Sequence, residues 1–133
     1  MLTVKLDSDV PLTMQIAEGI RRQIATGGLK TGDELPTVRQ LAADLGVNLN
    51  TVARAYRALE ADGLLTTVRG RGTQVASATV GKASLAANRE RIEDRLRGAL
   101  SDAKLAELDQ TAVEKLFRKL MREFWRGATK NGG

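Results

Sequence analysis

The chain has 133 residues, 42% of them apolar, with 21 Lys and Arg against 16 Asp and Glu, a formal net charge of +5 and a pI near 10.0. It contains no Cys and no His, which excludes disulfides, thiolate nucleophiles, thiolate or imidazole zinc sites and His-based acid–base catalysis. The size allows one ordinary domain or two small ones, with a core of Leu, Val, Ile and Ala, and the charge mildly favours polyanionic partners.

The opening residues Leu2, Val4 and Leu6 alternate loosely, as in a short strand or an extended arm. No basic stretch followed by an apolar run precedes Pro11, so no export signal is expected. Together with the lack of Cys this gives the expectation of a cytoplasmic protein. No apolar run approaches the ~18 residues of a membrane span, so no membrane partner is expected.

Pro11 stands where a first helical turn would begin, and Ile16, Ile20 and Ile24 then recur at helical spacing until Gly27-Gly28. Leu29–Asp33 reads as a turn. Thr37 is a good N-cap for a short helix to Leu45, with Val38, Leu41, Ala42 and Leu45 on its inner face and Gly46 closing it. Asn48 caps the next helix, from about Leu49 to Asp62, which would turn Val52, Ala55, Tyr56 and Leu59 inward before Gly63 stops it. Leu64–Val68 and Thr73–Ala76 are short β-prone runs joined by Arg69-Gly70-Arg71-Gly72, a hairpin loop whose glycines permit positive φ.

Residues 77–84 are small and polar and form the expected linker, dividing 1–78 from 79–133. Beyond it, Leu85, Ile92, Leu96, Ala99, Leu100 and Ala103 hold one helical face. Asp109 caps a last helix striped by Val113, Leu116, Phe117, Leu120, Met121 and Phe124. The expected class is mainly α with a small β wing: a winged helix-turn-helix followed by a two-helix C-terminal dimerisation region.

A helix-turn-helix lays its second helix in the major groove of double-stranded DNA. Its N-terminal side chains meet base edges, and its free N–H groups meet phosphate. The candidates here are Asn48, Leu49, Asn50 and Thr51 at the entry, with Arg54 and Arg57 one and two turns further on. Thr37, the cap of the preceding helix, joins them. Asn can read adenine, and Arg can read guanine or hold phosphate. In the wing, Arg69 and Arg71 flank Gly70, where the backbone can approach the sugar-phosphate closely.

PLTMQIAEGIRRQIATGGLKTGDELPTVRQLA, LGVNLNTVARAYRALEADGLL and RGRGTQV follow one another in residues 11–76. In that order they resemble the N-terminal domain of the GntR family of bacterial transcription regulators. The short helical remainder is similar to the YtrA branch, whose members use a small helical region to dimerise. The resemblance implies a homodimeric regulator, a repressor in most cases, that binds an inverted repeat and controls a transporter operon. It places a phosphate and base contact on Arg39, the recognition entry on Asn48 to Thr51, and the wing glycine on Gly70. Leu49 stands where many relatives carry Arg or Pro. Ala53 stands where many carry Arg, so Arg54 points about 100° from that family contact.

Blander readings remain for several residues. Arg39 could pair with Asp44, and Arg69 and Arg71 could simply keep a hairpin soluble. Residues 1–78 hold nine basic and eight acidic side chains, whereas 79–133 hold twelve and eight, so the basic excess lies in the tail. There it reads either as solvated faces with pairs such as Glu93–Arg97, or as extra phosphate contacts. The near-neutral first domain and Leu49 leave open a winged-helix protein-interaction module without DNA binding. No enzyme and no cofactor are expected, and a small-molecule effector is left open.

Overall fold

Isoleucines at four-residue spacing give the first helix one continuous apolar edge. In a computed structural model, which describes residues 2–79 and 85–132 (side chains over 2–79 and 86–125), that helix is α1, Leu12–Ala25, and Ile16, Ile20 and Ile24 are buried. Pro11 occupies the N-cap rather than the first helical position, with φ −54° and ψ 143°, and its carbonyl accepts from Gln15 N at 3.0 Å. An extended ψ at that point lets the chain enter from the arm, and the missing N–H removes nothing the helix needs.

α2 (Val38–Leu45) and α3 (Leu49–Ala61) follow, and both pack with α1 around one core. Leu41, Ala42, Val52, Ala55, Tyr56 and Leu59 are buried there, as their spacing predicts. Burying each leucine or valine among them contributes roughly 1.5–3 kcal/mol, and each alanine methyl about 0.8 kcal/mol. Between α2 and α3, Gly46 adopts φ 68°, which is open to glycine at no steric cost. It lets Val47 N return to Ala42 O at 3.0 Å and closes the turn.

The wing is β1 (Leu65–Val68) and β2 (Gly72–Val75), antiparallel, with Leu65 opposite Val75 and Val68 opposite Gly72. Leu65 and Val75 point into the core. The outer edge of β2 is also paired. Gly32 N donates to Val75 O at 2.8 Å, Val75 N to Asp33 O at 2.9 Å and Leu35 N to Thr73 O at 2.8 Å. The segment that reads as a plain turn therefore adds a Glu34–Gln74 bridge to the wing. It is too short to show alternation, so its sequence carries no strand signal.

Residues 2–5 form an extended arm rather than a strand. The Gln15 amide takes the place of a neighbouring strand: it accepts from Lys5 N at 2.8 Å and donates to Lys5 O at 3.0 Å and Val10 O at 2.8 Å. Leu2 fills the space over Gly19, where an added methyl would meet Leu2 Cδ2.

The chain divides into two compact units, Met1–Val80 and Gly81–Gly133. Of the expected linker, residues 80–84 lie outside the described ones. The second unit is α4 (Leu85–Leu105) and α5 (Gln110–Gly132). α4 ends as Glu107 N reaches Lys104 O and Leu108 N reaches Ala103 O, both at 3.0 Å, with Glu107 at φ 64°. Asp109 caps α5, accepting from Ala112 N at 2.8 Å. Arg97 bridges to Glu93 at 3.1 Å and Asp94 at 2.7 Å on the solvated face.

Candidate nucleic-acid interface

Local capping sets the two helix starts. Thr37 Oγ1 accepts from Gln40 N at 3.1 Å while Gln40 Oε1 accepts from Thr37 N at 2.9 Å. This reciprocal capping box fixes the entry of α2. Asn48 Oδ1 accepts from Asn50 N at 2.8 Å at the entry of α3. Neither helix has an acidic residue in its first turn, so the positive end of each dipole is not neutralised by its own side chains.

Tertiary bonds tie these ends to the core. The Tyr56 hydroxyl donates to Pro36 O at 2.7 Å, one residue before the α2 cap. Burial pushes the Tyr56 phenol up to about 12, so the ring stays a neutral donor. Thr13 Oγ1 donates to Thr51 O at 3.4 Å, linking the starts of α1 and α3. Arg21 meets Asp62 at 2.9 Å across the other end of α3, a half-exposed pair that contributes little.

On this frame Thr37, Arg39, Asn48, Leu49, Asn50 and Arg54 are all exposed at the starts of α2 and α3 or along the outer side of α3. Thr51 is half-buried. Arg69, Gly70 and Arg71 are exposed at the hairpin turn, which Arg71 N closes onto Val68 O at 2.9 Å with Gly70 at φ 80°. Arg39, Arg54, Arg57, Arg69 and Arg71 form no ion pair with a described residue, so the Arg39–Asp44 pairing is not made. Asn50, Arg54 and Arg57 recur at i, i+4 and i+7 on the side opposite the buried stripe. Arg57, which its spacing puts two turns along the helix, thus shares the outer line with Asn50 and Arg54. Gln40, which the sequence reading did not single out, orders Thr37.

In the second unit Ile92, Leu96, Leu100, Leu116, Phe117, Leu120 and Met121 are exposed, and Val113 and Phe124 are half-buried. Leu85, assigned to the same face, has its side chain outside the described ones. Trp125 lies beside Met121 and Phe124 in the apolar groove between α4 and α5, again a residue that helical spacing could have added.

Residues 12–75 match the family model described as bacterial regulatory proteins, gntR family. The HTH-type transcriptional repressor YtrA of Bacillus subtilis is 30% identical over 132 residues, covering 98% of this chain and 99% of that protein. This chain belongs to the GntR family. A crystal structure of a transcriptional antiterminator from Listeria monocytogenes EGD-e superposes with a TM-score of 0.76 at 29% identity, covering 93% of this chain and 92% of that one. AraR(DBD), solved in complex with operator ORX1, gives a TM-score of 0.50 at 32% identity over 56% of this chain and 93% of its own. The GntR chain is a DNA-binding transcriptional regulator with a winged helix-turn-helix, similar to YtrA. Among the described residues no helix is long and apolar enough to cross a membrane.

Proposed function

We propose that the protein represses transcription as a homodimer bound to an inverted repeat. Met1–Val80 is the DNA-binding domain and the α4–α5 unit is the dimerisation region. In each half-site α3 enters the major groove through Asn48, Leu49, Asn50 and Thr51. Arg54 and Arg57 lie along it, Thr37 and Arg39 approach from α2, and Arg69, Gly70 and Arg71 reach the flanking backbone from the wing.

One observation carries the dimer: no side chain described in the second unit is fully buried, although ten or so large apolar ones line it. Two helices with no fully buried side chain between them gain too little to hold against chain entropy without a covering surface. A second copy supplies a matching apolar face by symmetry. Two recognition helices on successive major grooves of one DNA face would lie about 34 Å apart, one turn of the duplex. The repressor role is supported by the repressor name of the full-length relative. The family resemblance adds that the target is a transporter operon, which transcript levels in a strain lacking the gene would decide.

Selection of duplexes from a random-sequence library by the full chain tests the reading. An inverted repeat with half-sites about 10–10.5 base pairs apart, or a multiple of that, is expected. A single asymmetric site would overturn the dimer. Phe117→Arg, which puts a charge into the covering face, should yield monomers in sedimentation. A chain that stays dimeric with that change would contradict the assigned surface.

A further inference from the structure

Leu49 is the only large apolar side chain of α3 that stays exposed, at 40%. It belongs neither to the core nor to the half-buried residues packed against it. The usual structural task for an apolar residue at a helix start is to staple the entry, with one partner before the cap and one in the fourth helical position. Val47 and Val52 hold those places here, Val47 against the core and Val52 within it. Asn48 performs the capping. Leu49 is thus left with no role in the fold.

Its position gives it one in recognition. Cα–Cβ bonds tilt toward the helix N-terminus, so a side chain at the first helical position projects ahead of the helix. In the major groove the base edges offer donors and acceptors, which a leucine can only desolvate at a loss. They offer one apolar group, the C5 methyl of thymine. Next to Leu49, Asn50 is exposed and its side-chain amide makes no bond among the described residues, which leaves it free to pair with an adenine edge.

We propose that Leu49 is a specificity-determining residue that reads the 5-methyl group of a thymine at one position in each half-site, beside the base met by Asn50. This rests on α3 lying in the major groove as set out under Proposed function. The start of α3 then selects A·T pairs, and the arginines of α2 and the wing supply phosphate and guanine contacts.

The test uses the full chain and duplexes recovered from a random-sequence library, with thymines replaced one at a time by deoxyuridine, which lacks only the methyl. At one thymine per half-site the replacement should weaken binding about three- to tenfold, the worth of burying one methyl against an aliphatic side chain. The Leu49→Ala chain should bind the thymine and deoxyuridine duplexes equally, with unchanged helix content by circular dichroism. Insensitivity at every thymine, or equal sensitivity in Leu49→Ala, would overturn the proposal and leave the proposed function standing. A library from which no sequence is enriched would overturn both.

Discussion

Arg39 and Tyr56 mark two kinds of residue at the candidate interface, one facing outward and one tied into the core beneath it. Arg39 is exposed in the first turn of α2 with no carboxylate partner among the described residues. Arg39→Ala should leave the fold intact and weaken binding to a selected duplex by about 1–3 kcal/mol, measured by anisotropy titration; unchanged affinity would count against it. Tyr56 donates to Pro36 O from within the core, and burial holds its phenol near 12 against an ordinary 10. The folded chain therefore keeps a proton that the unfolded chain loses. Stability from this group is complete below pH 10 and falls between pH 10 and 12, by up to about 3 kcal/mol. Tyr56→Phe should cost about 1–2 kcal/mol at neutral pH, because Pro36 O loses its donor, and should remove that alkaline slope in urea unfolding. A Phe chain with the same slope would show that Tyr56 is not its source. The inward turn of Tyr56 was legible from its spacing. Its partner was not, because twenty residues separate them and only tertiary packing brings them together.

Helices, caps and the wing were legible where their signals are local. Thr37, Gly46 and Asn48 each announce a boundary through chemistry within three residues, and each boundary lies where they put it. The edge pairing of residues 32–35 on β2 was hidden, since it is fixed by backbone bonds to a segment forty residues away. So was the hold of Gln15 on the arm, where a side chain imitates a strand. Two elements carry testable backbone costs. Glu107 sits at φ 64° at the end of α4, a conformation that glycine adopts without penalty. Glu107→Gly should stabilise the second unit by up to about 1 kcal/mol, seen as a higher midpoint in thermal unfolding. Gly70 is at φ 80° with open space where a Cβ would stand, so Gly70→Ala meets a conformational cost and no clash. It should destabilise the hairpin by about 1 kcal/mol and weaken DNA binding while the helical core, followed by hydrogen exchange, is unaffected. An unaltered affinity would remove the wing tip from the interface.

At the scale of the molecule the two units differ in how they are held. The first has a closed core drawn from three helices and the wing. The second presents Leu116, Phe117, Leu120 and Met121 at the surface. The stripe was legible as a 3–4 repeat, but what covers it was not, because a sequence pattern specifies an apolar face without saying whether the facing surface belongs to the same chain. The first unit carries nine basic against eight acidic residues up to residue 78, so one copy has little net electrostatic attraction to draw on. In the proposed dimer, pairing two copies would convert the second encounter into an intramolecular one and multiply affinity about 10²- to 10⁴-fold. The most direct measurement is therefore a titration of the full chain onto duplexes carrying both half-sites or only one, with the mass of the complex followed by sedimentation. Two chains per full duplex, bound at least about a hundredfold more tightly than the half-site duplex, is the predicted result. One chain per duplex, or equal affinity for the two duplexes, would contradict it.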